Sequence, residues 1–159
     1  MSIATMIVND TNPMMGSGRI DSDTAADEFS VAPLEELLTD TVRAGSGVWW
    51  AAMARQIEVV GEALQYHRAA TEGGHGLHAE VLLEAPRLAQ RLGRLDEEHA
   101  DLAEQIVALR GAIAEAAGQP GAHSVVIASA LVTVARIRSH QSLAYNVVLD
   151  ATNVDLGGE

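Results

Sequence analysis

His99 lies nineteen residues before Gly118, and His140 lies nineteen residues after Gly121. Gly118-Gln119-Pro120-Gly121 reads as a turn between two helices. At a rise of about 1.5 Å per residue, both imidazoles then sit roughly 28 Å from that turn, at equal height on adjacent antiparallel helices. Each belongs to an apolar stripe. Steps of four and three pick out Leu77, Val81, Glu84, Leu88, Leu92, Leu95, His99, Leu102, Ile106, Leu109 and Ile113, where only Glu84 and His99 are not aliphatic. The second stripe is Val126, Ala130, Thr133, Ile137, His140, Ala144 and Val147. A carboxylate or imidazole on a buried stripe is costly unless hydrogen-bonded, paired or coordinated. Two facing imidazoles repel when charged, and a shared metal or a carboxylate relieves them. Glu80, next to Val81, is an acid placed to join the pair. The plainer alternatives are core histidines satisfied by a carbonyl or an acid, and a Glu84 turned to solvent where Pro86 breaks the helix.

The elements that must position these side chains follow from the punctuation of the chain. Residues 1–29, rich in Thr, Asn, Asp, Gly and Ser without a sustained period, read as a mobile N-terminal arm, with a partner-binding tail as the functional alternative. Ser30, Pro33, Glu35 and Glu36 mark a helix start. Helical spacing continues to about Ala70 through Leu34, Leu38, Trp49, Met53, Ile57, Val60, Leu64 and His67. Gly45-Ser46-Gly47 interrupts it, as a kink or as a fresh start at Ser46. Gly73-Gly74-His75-Gly76 turns the chain. Pro86 divides a short helix over about 77–84 from a long one reaching Ala117, and a last helix covers about 122–148. Four helical segments with short connections predict an all-α antiparallel four-helix bundle over residues 30–159.

Composition narrows the chemistry. The chain is 48% hydrophobic with 3% aromatics, as expected of an Ala, Leu and Val-rich helical domain. Its formal charge is −12, with arginine as the sole strong base, so phosphate backbones and anionic lipid surfaces would repel it. Nucleic-acid and membrane partners are therefore not expected. Without cysteine there is no disulfide or thiolate metal site, and a metal would need the six histidines and twenty-two acids. No run of 18 apolar residues and no basic leader is present, which predicts a cytoplasmic soluble protein. Gly16-Ser17-Gly18 and Gly45-Ser46-Gly47 lack the neighbours of a phosphate loop or nucleophile elbow.

Glu97-Glu98-His99 on a long helix, the acid-bearing short helix ending near Pro86, and a final helix carrying His140 together resemble the hemerythrin-like, or HHE cation-binding, bundles. The closing residues from Tyr145 to Ala151 and from Val154 to Glu159 resemble the tail of short actinobacterial members of that group. The similarity covers residues 34–159 and rests on order and spacing together. It implies a non-haem iron site of histidines and carboxylates that acts on O₂, peroxide, nitric oxide or iron itself. His99 matches the family's third-helix histidine, His140 the fourth-helix histidine, and Glu80 the carboxylate that bridges the metals. The chain departs from the family at Leu95, Tyr145 and Gly76, where further ligands are expected, and at Trp49 and Trp50, in the region of the first-helix histidine. Glu80, His99 and His140 are what the carry-over leaves, the composition of a mononuclear two-histidine, one-carboxylate site or of a degenerate dinuclear one.

His67 and His75 would add to this set if the glycine loop folds inward, and are otherwise solvated; His123 reads as a helix-start surface residue. The leading expectation is an iron-binding bundle with a small gas or oxidant ligand. Two others belong to different classes. One is a metal-free scaffold or partner-binding bundle, in which a homodimer would form through the first helix. The other is a binder or enzyme holding a small apolar molecule near Trp49 and Trp50, with His99 as its acid–base group.

Overall fold

The computed structural model describes residues 29–152. The expected arm lies outside these residues except for Phe29, which is buried in the core, and so does the end of the family-like tail. All the regular structure among the described residues is helical.

Helix α1 (Ala32–Thr39) starts with a proline in its first turn and buries Leu34 and Leu38. The glycine-flanked interruption is a fresh start: Ser46 caps α2 (Gly47–Glu72), its hydroxyl oxygen accepting from the Trp49 amide at 3.2 Å. At the end of α2, Gly76 is required for space, because a Cβ there would lie 2.6 Å from the Thr71 carbonyl oxygen. Helix α3 (Leu77–Glu84) stops before Pro86, which opens a single 3-10 turn over Pro86–Leu88. Helix α4 (Ala89–Ala116) ends on Gly118, whose φ of +81° is the left-handed conformation glycine adopts without strain. Helix α5 (His123–Thr152) runs about one turn beyond its expected end.

Helix α4 packs on both α2 and α5, while the short helices α1 and α3 each lie against α2 and α5. Polar pairs give the register. Going down α4, Arg110 meets Glu58 and His99 meets Glu72 of α2, while Asp101 meets Arg136, Glu98 meets His140 and Arg91 meets Asp150 of α5. Numbers fall on α4 as they rise on each partner.

The core is in two apolar parts. The larger, from α1, α2, α4 and α5, reaches up to Leu64, Leu102 and Ile137. The smaller contains Val81, Ala85, Leu88, Leu92, Leu95 and Val147. Between them, on α2, α4 and α5, come His67, His99 and His140. A layer of imidazoles thus divides the hydrophobic interior, and each fully buried aliphatic neighbour contributes roughly 1.5–3 kcal/mol to holding the helices around it. Among the described residues, no helix is long and apolar enough to cross a membrane.

Candidate metal centre

His99 and His140 continue the buried stripes of α4 and α5 and are 0% and 2% exposed. Their ring centroids are 4.5 Å apart. His67, three residues after buried Leu64 on α2, closes the group edge-on, with centroids 5.0 Å from His99 and 5.8 Å from His140. One ring nitrogen from each of the three lies within 4.8 Å of the others, an arrangement able to hold a metal ion.

The hydrogen bonds behind the rings decide which nitrogen is free. His99 Nδ1 donates to the Glu72 carboxylate at 2.6 Å, and His140 Nδ1 donates to Glu98 at 3.1 Å. An ionised carboxylate only accepts, so each Nδ1 carries the proton and each Nε2 of the neutral ring presents a lone pair. Both Nε2 atoms are buried and have no hydrogen-bond partner among the described residues. A buried polar atom left unpaired costs on the order of 1–3 kcal/mol, so two such atoms on rings 4.5 Å apart point to a ligand. Carboxylate-backed imidazoles are also the usual way of orienting a metal-ligating histidine.

Electrostatics keep the rings neutral. Burial lowers the pKa of His99 and of His140, against the opposing pull of Glu72 and Glu98. Burial likewise pushes His67 down to about 4, helped by its three imidazole neighbours. Burial works to raise Glu72, but hydrogen bonds from Arg68 and His99 hold it below the ordinary carboxylate value. Arg68 pairs with Glu72 at 3.2 Å and Arg94 with Glu98 at 3.4 Å, each four residues earlier on the same helix. A cavity of about 70 Å³ borders the Glu98–His140 pair, lined also by Leu102, Arg136 and Ser139.

Of the residues expected to form the site, the structure brings His99 and His140 together and leaves Glu80 out. Glu80 is exposed, because the buried face of α3 carries His78 and Val81. Glu84 is exposed at the helix end, and His75 is exposed in the glycine turn. His67 completes the metal-capable group with His99 and His140, which is thus three imidazoles and does not include Glu80. His78 stacks parallel to His99 at 6.1 Å, with its Nδ1 hydrogen-bonded to Asp96 at 2.8 Å. Its spacing to Val81, Ala85 and Leu88 was the signal for it. Glu72, Asp96 and His99 form a second metal-capable group, but there the His99 Nδ1 already has Glu72 as its partner.

Trp49 and Trp50 belong elsewhere. Trp49 is 1% exposed, donates from Nε1 to the Leu37 carbonyl at 3.0 Å and packs its ring against His123, which is therefore half-buried. Eighteen residues of helix separate Trp49 from His67, about 27 Å, so no one pocket holds both the tryptophans and His99. No family model, curated protein or solved structure matches the chain.

Proposed function

We propose that this chain is a hemerythrin-like antiparallel helical bundle that binds a metal ion, iron in the first instance, through His67, His99 and His140. The paired, buried and unpartnered Nε2 atoms carry this reading. The opposed numbering of the polar pairs supports an antiparallel arrangement, and the order of helices with their histidines supports the family. Imidazole donors suit iron, zinc, copper and nickel alike; iron is chosen from the resemblance.

When bound, a redox-active ion would supply electron transfer or activation of O₂, peroxide or nitric oxide at the coordination positions the three rings leave open. The chain's own contribution is to hold the donors in the neutral, Nδ1-protonated form and to keep bulk water away by the apolar layers above and below. Glu72 and Glu98 hold the two Nδ1 protons and thereby the ring orientations. We assign the protein a cytoplasmic setting with no nucleic-acid or membrane partner, in keeping with its charge of −12.

Anaerobic titration with Fe²⁺ tests the assignment. Wild type should take up about one ion per chain, His99→Ala and His140→Ala should not, and Glu80→Gln should behave as wild type. Uptake that survives both histidine substitutions would overturn it.

A further inference from the structure

Two of the three imidazoles in the layer are braced from behind by carboxylates; His67 is not. Its ring makes no side-chain hydrogen bond among the described residues and is half-buried at the edge of the layer. Phe29 stacks against it, offset, with ring centroids 6.0 Å apart and 26° between planes. Phe29 precedes the first helix yet is only 2% exposed. Its carbonyl oxygen accepts from Gln141 Nε2 at 2.6 Å, one residue past His140. The bidentate Glu35–Arg138 pair fastens the segment that follows to the same helix.

Resting on the metal reading above, we propose that Phe29 is the positioning residue for His67, and that it sets how tightly the centre retains a divalent cation. An imidazole without a hydrogen-bond partner has several rotamers available to it, and only the one aimed at the layer donates to a shared ion. A flat ring packed on one face removes the others. Because Phe29 is anchored to α5, the brace for the third donor is fixed to the helix that carries the second.

Co²⁺ titration followed by visible absorption tests this, using wild type, Phe29→Leu, Phe29→Tyr, His67→Ala and the Phe29→Leu/His67→Ala double variant, with helix content checked by circular dichroism. Leucine keeps the bulk and removes the flat face. Phe29→Leu should weaken Co²⁺ binding roughly three- to tenfold, the range an aromatic pair supplies, and shift the absorption bands towards those of His67→Ala. Phe29→Tyr should retain wild-type bands, and the leucine change should add nothing once His67 is alanine. Should Phe29→Leu lose helix, Gln141→Leu, which removes the carbonyl anchor, should show the same weakening. Unchanged binding in Phe29→Leu, or equal weakening in both His67 backgrounds, overturns the proposal. Failure of wild type itself to bind Co²⁺ overturns the metal reading and this extension with it.

Discussion

His99 and His140 face one another across the α4–α5 interface at 4.5 Å between ring centroids, and each turns its Nδ1 to a different glutamate. The two protons are therefore held by the glutamates, and the two lone pairs lie on the buried Nε2 atoms inside the bundle.

Glu72→Gln and Glu98→Gln keep an oxygen acceptor for Nδ1 but remove its charge. Each should weaken metal binding by about ten- to a hundredfold, the usual effect of losing an outer-shell carboxylate, in competition with a chromophoric chelator. Wild-type affinity in both variants would contradict the role given to these acids.

In chelator, the His99→Leu/His140→Leu double variant should melt several degrees above wild type. It removes two buried unpaired nitrogens, each costing about 1–3 kcal/mol, and fills the layer with hydrocarbon. Glu72 and Glu98, with side chains 26% exposed, can regain water. A lower melting temperature would show that the imidazoles stabilise the metal-free fold.

Metal-free protein should lose stability as pH falls from about 6.5 towards 4. His67 titrates near 4 in the folded chain, and His99 and His140 are also lowered, whereas an unfolded histidine titrates near 6.5. In that window the unfolded chain binds more protons, so stability rises with pH and drains away on acidification. Urea midpoints at several pH values check this, and a flat profile across the window would contradict it.

Tryptophan emission should stay constant when Zn²⁺, a spectroscopically silent ion, is added. Trp49 is about 27 Å of helix away from His67 and is already hydrogen-bonded and buried. A marked change in emission would place the binding event at the other end of the bundle.

Much of this geometry was readable from spacing. Long helices carry their phase faithfully, so the stripe from Leu88 to Ile113 is buried at every step, and equal distances from one turn placed His99 opposite His140. The buried stripe runs on through the 3-10 turn at steps of three and four, from Leu88 back to Ala85, Val81 and His78; stepping four residues back from Leu88 instead of three selected Glu84, Leu77 and neighbouring Glu80. The face that α3 buries instead carries His78 and Val81. Glu72 and Glu98 gave no periodic signal, because they flank the buried stripes of their helices, with side chains 26% exposed, and reach the rings from beside them. Phe29 comes from beyond the first helix, where no period exists to place it.

Elemental analysis of protein freshly purified from iron-replete cells is the most direct test of a metal held by the imidazole layer. About one iron per chain is predicted, falling to background in His99→Ala and His140→Ala with helix content intact. Less than roughly a tenth of an equivalent of any metal in the wild-type protein would contradict the account and leave a metal-free helical bundle.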